Sequence, residues 1–567
     1  MSASIEAAKT TSTATTSAGG ALAAALAHAG LNRAFIVPGE SYLPLLEGMR
    51  EHAIEPVVCR NEGGAAYMAL GDAMVTGRPG VVMVTRAPGA SNAMVGVSAA
   101  YQEGAPLILF VGLVTLDERD RDSFQEFDLR AWYGTTAKRV FVLDSADRAH
   151  TVVEEAIRIA TTGRPGPVVI GLPEDVLSHE VPSRPAMAAP ALVNRAHPDD
   201  VAAAAAVLEG AERPVILVGG HPWSGAASSQ LASFAERHSI PVLGGWHVGD
   251  RLAVDSAVNA GWVGYGAHPE AWALLAAADA LLVIGTTLGD VITRGWTQPA
   301  PERTAVINPD PELRGHISPP LVHVVAEVEA AVAALAELSI AVGAGWEARA
   351  GEAHAAYLRS IEVPVPVPVP GSGSGPGLTE RGARDRVRAA EVVARLNERL
   401  SGDSVTLAYG AGRHCAWPQR YLRKAEYPSE LGLQNGSMGF SVPAAIAASL
   451  RQPERIVVCV AGDGELLMNG QELATAIQHG ARMLLLVIDD SCYGTIRDHQ
   501  QRMFPGARFA VDLQNPDFAA MVTSFGGTGF RVERSGDADG AVDGAIAAVR
   551  AGGVAALHVL IEETDVA

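Results

Sequence analysis

Tryptophan, tyrosine and phenylalanine supply only 5% of the 567 residues, although apolar residues reach 48%. Alanine in helix-like runs, such as residues 202–206, makes up much of the difference. No run of about 18 apolar residues free of charge and helix breakers occurs, which excludes a membrane-spanning helix. Basic residues are outnumbered, 43 Lys and Arg against 63 Asp and Glu, and the net charge of −20 disfavours nucleic acid and anionic lipid as partners. Cysteine is scarce. Cys59, Cys415, Cys459 and Cys492 lie far apart with no C-x-x-C pair, against a disulfide framework or a zinc site and in keeping with a reducing cytoplasm. Residues 1–18, mostly Ser, Thr and Ala, lack the apolar core of a secretory signal and read as a disordered tail.

Length and composition breaks divide the rest. Val-Pro alternation over residues 363–370 runs into GSGSGPG at 371–377, an extended segment followed by a flexible one, so residues 362–378 read as a linker. A second break, rich in Pro and Ala, falls at 182–198. Three blocks result, 19–181, 192–340 and 380–567. Within each, apolar runs of four to six residues alternate with Ala/Leu-rich helical stretches. Residues 35–37, 81–84, 107–111, 168–172, 215–218, 281–284, 456–460 and 484–488 are such runs. Short continuous apolar strands suit sheets buried on both faces, so the fold class is α/β with three doubly wound parallel-sheet domains. Gly39, Gly112, Gly219, Gly285 and Gly462 end strands where such sheets open towards ligands.

The stretch richest in chemistry is Gly462-Asp463-Gly464, followed by a helix expected near 469–479 and then by Asp489-Asp490-Ser491-Cys492-Tyr493-Gly494. Two strands would deliver Asp463 and Asp490 to one sheet edge, beside a helix N-terminus with free N–H groups. Such a set can hold a hard divalent ion and a diphosphate together. Alone, the tripeptide would be no more than a turn; the strand-helix-strand context gives it meaning. In the first block, Glu62 follows the apolar stretch Val57-Val58-Cys59 and opens an Ala-rich helix. It is either a helix-start acid stabilised by the dipole or a carboxyl whose pKa burial tunes for proton transfer.

The GDG motif, its spacing and the paired polar motif after the second strand resemble the thiamine-diphosphate signature. Further stretches resemble the acetolactate-synthase-like branch: Val37-Pro38-Gly39-Glu40-Ser41-Tyr42, Thr85 to Asn92, Ser123-Phe124-Gln125-Glu126, residues 163–167 and Gly436-Ser437-Met438-Gly439-Phe440. The resemblance runs from about residue 20 to 560. It implies pyrimidine-binding, central and diphosphate-binding domains in that order, with thiamine diphosphate and Mg²⁺ as cofactors. Asp463, Asp490 and the backbone carbonyl of Cys492 would be the metal ligands. Glu62 would protonate the aminopyrimidine N1′, with Gln125 as a second catalytic residue. Met438 would wedge under the cofactor, where the plainer alternative is a core gap-filler. Pro38, Gly39, Asn92, Gly412, His414, Gly462, Gly464, Glu465, Tyr493 and Gly494 would complete the cofactor site, and Glu40, Phe124, Thr495 and His499 the substrate pocket.

The resemblance also implies a homo-oligomer, dimer or tetramer, in which Glu62 of one chain meets Asp463 and Asp490 of another. The activity implied is decarboxylation of a 2-oxo acid, with pyruvate as donor, and transfer of the remaining two-carbon fragment to a second carbonyl. A decarboxylase or lyase, a carboligase with another acceptor, and a non-catalytic cofactor-binding homologue remain alternatives. Departures keep them open. The usual Asn-Asn is Asp489-Asp490, which adds repulsion beside a diphosphate and strengthens the hold on a cation. Glu40 replaces a glycine, and could repel a substrate carboxylate, bond a different acceptor or point away. His499 stands where biosynthetic acetolactate synthases carry tryptophan. The Arg-Phe-Asp-Asp-Arg stretch of FAD-holding relatives is replaced by Thr286-Thr287-Leu288-Gly289-Asp290, so FAD is possible but unsupported and a spacer role fits the middle block better.

Overall fold

The computed structural model describes residues 15–183, 192–313, 318–363, 386–563 and 565. Each block builds a six-stranded sheet in which all neighbouring strands are parallel. The first runs, in spatial order, Glu55–Val58, Arg33–Ile36, Gly80–Val84, Leu107–Leu113, Pro167–Pro173, Arg139–Val142. The central sheet is Asn259–Trp262, Val242–Gly244, Pro214–Val218, Ala280–Ile284, Arg303–Ile307, Val322–Val324. The third is Glu430–Leu431, Val405–Tyr409, Ile456–Gly462, Met483–Asp489, Val554–Leu560, Thr528–Val532. Central strands such as Ile456–Gly462 and Met483–Asp489 are buried along their whole length, as their unbroken apolar runs require. Nearly all of the linker expected at 362–378 lies outside the described residues. No described helix is long and apolar enough to cross a membrane.

The tail expected over 1–18 is corrected at its end. Thr15–Ser17 is a strand, antiparallel to Glu180–Pro182 in the register Thr16↔Val181. Ser17 then caps the helix Ala18–His28, its hydroxyl accepting from Gly20 N at 3.0 Å. The Ser/Thr composition that reads as a tail thus supplies a strand and an N-cap. Residues 1–14 lie outside the described part.

Small residues explain how so few aromatics build a core. The helices Glu62–Thr76 and Ser441–Arg451 join the first and third domains, and an ideal Cβ on Gly71 would lie 3.0 Å from Ala444 Cα. Ala65, Ala66, Ala69, Ala444, Ala445 and Ala447 are fully buried in one cluster spanning both domains. The seam is pinned by Arg451, which donates to both carboxylate oxygens of buried Asp72 at 2.5 and 3.1 Å. Burial pushes Asp72 upward and Arg451 offsets it.

Candidate active site

Neighbouring strands Ile456–Gly462 and Met483–Asp489 pair with Gly462 opposite Ile488, so Asp463, Asp489 and Asp490 leave the sheet at one edge. The helix after the GDG motif begins at Asp463 itself and spans Asp463–Asn469, six residues earlier than the pattern suggests. Asp463 and Glu465 in its first turn complement its N-terminal dipole. A single-turn segment Gly470–Glu472 and a short helix Leu473–Gln478 follow.

The two adjacent aspartates differ. Asp489 is saturated: Oδ2 meets His558 Nε2 at 2.8 Å, and Oδ1 accepts from Ser491 N at 2.8 Å and Asn515 Nδ2 at 2.9 Å. Burial works against its charge, but these bonds, His558 foremost, hold its carboxyl below the usual range. Asp490 Oδ2 is buried and accepts no hydrogen bond. Burial raises its pKa, opposed by Arg413 and Arg497. Asp463 Oδ2 accepts from Asn515 Nδ2 at 2.7 Å, and burial followed by the Asp489 charge pushes Asp463 up to about 7. Cys492 O accepts from Gly494 N at 2.8 Å, and Tyr493 N donates to Val511 O at 2.8 Å. A Cβ on Gly464 would stand 2.6 Å from the Tyr493 ring.

The turn after Val405–Tyr409 brings Gly412 and His414 to the same edge. An ideal Cβ would meet the His414 ring at 2.8 Å from Gly412 and at 2.6 Å from Gly462, so both glycines make room for one imidazole. Burial opposes charge on His414, yet Cys415 and Glu465 keep its pKa well above the ordinary value. Glu465 is buried beneath this turn, accepting from Ala411 N at 2.9 Å and Ser441 Oγ at 2.7 Å. Met438 is half-buried; its carbonyl lies 3.5 Å from Tyr67 Oη, while Asn469 Nδ2 holds Gly439 O at 2.8 Å.

In the first domain Glu62 opens the helix Glu62–Thr76, which Asn61 caps through Gly63 N at 2.8 Å. Glu62 Oε2 accepts from Asn92 Nδ2 at 2.9 Å. Behind Glu62, fully buried Glu472 of the third domain accepts from Arg60 N at 3.1 Å, Asn61 N at 2.9 Å and Thr475 Oγ1 at 2.6 Å. Gln125 has a φ of +60°, and its carbonyl accepts from Ala87 N at 3.2 Å. Pro38 is exposed, and Gly39 leaves no space for a Cβ, which would lie 2.7 Å from Thr85 Cβ. Glu40 is paired with Arg86 at 2.8 Å, the same guanidinium that holds Glu174 at 2.6 Å. Phe124 is 74% exposed, Thr495 Oγ1 accepts from Arg413 N at 3.2 Å, and exposed His499 meets Arg502 at 2.8 Å. Among the described residues, no hydrogen bond or ion pair within the chain joins Glu62 to Asp463, Asp490 or Cys492.

Three family models match in the same order as the sheets. They are the thiamine pyrophosphate enzyme N-terminal TPP binding domain over residues 16–132, the central domain over 201–335 and the C-terminal TPP binding domain over 410–559. The chain is 30% identical over 539 residues to the acetolactate synthase large subunit of Parasynechococcus marenigrum, covering 91% of this chain and 84% of that one. The chain belongs to the thiamine pyrophosphate enzyme family. Other thiamine pyrophosphate enzymes that it resembles include the acetolactate synthase isozyme 2 large subunit of Escherichia coli, 27% identical with 95% of each chain covered. A probable acetolactate synthase large subunit of Methanocaldococcus jannaschii is 28% identical, with 89% and 86% covered.

Supporting residues stand outside the roles that the family's signature assigns. Glu472 and Asn515 each reach two chain segments, and Arg413 and Arg497 flank Asp490. No local sequence signal marks Glu472 as buried, since its partners Arg60 and Asn61 lie in another domain.

Proposed function

We propose that the chain binds thiamine diphosphate with Mg²⁺ and catalyses acetolactate-synthase-like decarboxylation and carboligation of a 2-oxo acid, pyruvate being the donor. The observation carrying this reading is the arrival of Asp463 and Asp490 at the ends of adjacent parallel strands, beside the amino terminus of the helix Asp463–Asn469. The donor set fits. Two carboxylates and a backbone carbonyl are the hard oxygen ligands that Mg²⁺ prefers, and the buried Asp490 Oδ2 has no hydrogen bond to give up.

In this reading Asp463, Asp490 and the Cys492 carbonyl would hold the cation, and the Met438 side chain would pack against the cofactor. When bound, thiamine diphosphate supplies the electron sink that lets a 2-oxo acid lose CO₂. Glu62 would hold or release a proton at the aminopyrimidine N1′ of a bound cofactor, with Asn92 orienting its carboxyl. Arg86 offsets the Glu40 charge, so Glu40 presents a paired carboxylate to the substrate region, not a bare one. No hydrogen bond or ion pair among the described residues joins Glu62 to Asp463, and Phe124 of the first domain and Phe509 of the third are 74% and 80% exposed. Both facts support an active homodimer, or a tetramer made of two such dimers, with each site completed by a partner.

The paired Glu40 and the exposed His499 favour a second reading with the same donor and a different acceptor. Purified protein with thiamine diphosphate, Mg²⁺ and pyruvate should release CO₂ and form acetolactate. Product that appears only after an aldehyde or other ketone is added selects the second reading. Bound cofactor without CO₂ release from any 2-oxo acid overturns both.

A further inference from the structure

Asp490 puts a negative charge where an amide would be neutral, beside the place proposed for a diphosphate. The structure surrounds that charge. Arg413 Nη1 and Arg497 Nη1 each lie 3.8 Å from Asp490 Oδ2. The two arginines come from separate elements, the turn Arg413–Cys415 after one strand and the helix Gly494–Met503 after another. Their guanidiniums share one carbonyl behind them: Glu563 O accepts from Arg413 Nη1 and Nη2 at 3.2 Å and from Arg497 Nη2 at 2.8 Å, and Asp565 O also accepts from Arg413 Nη2.

The arrangement is closed from solvent. Asp490 Oδ2 and Arg497 Nη1 are both buried without a hydrogen-bond partner, so they face each other as a loose, desolvated ion pair. The close approach requires glycine at 494, whose Cβ would stand 2.7 Å from Asp490 Oδ2 and 2.5 Å from Arg413 Cδ. Other charges near the guanidiniums are Asp498, at 3.4 Å from Arg413 and 2.9 Å from Arg497, and the Glu563 carboxylate, at 3.3 Å from Arg497. Arg508 in turn neutralises Glu563 at 2.7 Å.

We infer that Arg413 and Arg497 are the counter-charge to Asp490: they let this chain coordinate a divalent cation with two carboxylates and still accept a diphosphate. The arginines act as positioning residues through Asp490, at a distance too long to compete with a cation for its oxygen. The inference rests on the proposed thiamine diphosphate and Mg²⁺ site. It predicts that charge at 490 and charge at 413 are coupled: removing Arg413 exposes the diphosphate to an uncompensated carboxylate, and removing the carboxylate as well restores the balance.

The test is a double-mutant cycle on the full-length protein, with thiamine diphosphate titrated at saturating Mg²⁺. Binding is read from tryptophan fluorescence, for which Trp417 lies 5.9 Å from the Arg413 guanidinium carbon. Thermal unfolding without ligand checks the fold. Arg413→Gln should weaken cofactor binding about tenfold, and the Arg413→Gln/Asp490→Asn protein should return to within about threefold of wild type. Asp490→Asn alone should weaken Mg²⁺ about tenfold at saturating cofactor. Arg497→Gln, which leaves the diphosphate turn untouched, should repeat the pattern and guards against a misfolded first variant. Additive losses in the double variant, or wild-type binding by both arginine variants, overturn the inference while leaving the cofactor reading intact. A wild-type protein that binds no thiamine diphosphate with Mg²⁺ overturns both.

Discussion

Asn92 Nδ2 donates to Glu62 Oε2 at 2.9 Å, linking the first residue of one helix to the middle of the helix Ala87–Glu103 beside it. The bond leaves Oε1 uncommitted by any hydrogen bond to the protein among the described residues. Glu62→Gln should therefore bind thiamine diphosphate as wild type does and lose about a hundredfold or more in kcat, as removal of a general acid does. Asn92→Ala, which frees the carboxyl to rotate, should lose less. Steady-state rates beside cofactor titrations check both.

Glu472 carries the backbone of the turn before Glu62. Glu472→Ala removes the acceptor of the part-buried Arg60 and Asn61 N–H groups and empties a buried site, at about 1–3 kcal/mol in all. Thermal unfolding should fall by several degrees. Glu472→Gln keeps an acceptor oxygen and should lose much less.

Gly410 allows Glu465 to sit beneath the diphosphate turn, since a Cβ there would be 1.5 Å from Glu465 Oε2. Gly410→Ala should displace that carboxylate from Ala411 N and Ser441, at about 1–3 kcal/mol of overpacking. Chemical denaturation measures the loss, and weaker cofactor binding should accompany it.

Glu103 makes stability depend on pH. It accepts from Asn435 N at 3.1 Å, its Oε2 is buried without a partner, and burial pushes its pKa up to about 7. The folded carboxyl keeps its proton to about pH 7, while the unfolded one releases it near 4.5. The stability linked to it is complete below the unfolded value and is lost as pH rises through the folded one. Glu103→Gln should flatten that slope and unfold later than wild type at pH 8, by roughly 3 kcal/mol at most, with little difference at pH 4.5. Melting curves across that range decide it.

The sheets were legible because a strand buried on both faces needs a continuous apolar run, and residues 456–460 and 484–488 are such runs inside observed strands. The carboxylates Asp463 and Asp490 were legible because each follows its strand directly. Glu472 was not, since its partners Arg60 and Asn61 lie more than four hundred positions away in another domain. The strand Thr15–Ser17 was hidden for a related reason: three Ser and Thr residues carry no apolar signal, and pairing with Glu180–Pro182 alone orders them. The early helix start at Asp463 escaped because glycine at 464 reads as a turn until the Tyr493 ring is known to need its space.

That terminal pairing has a topological consequence. With Thr15 opposite Pro182 and Ser17 opposite Glu180, the chain enters and leaves the first domain through a single two-stranded gate. The domain is closed upon itself like a loop on a clasp. A relative's domain could replace it at that one junction without cutting a strand of its parallel sheet, provided that it keeps the buried seam with the third domain.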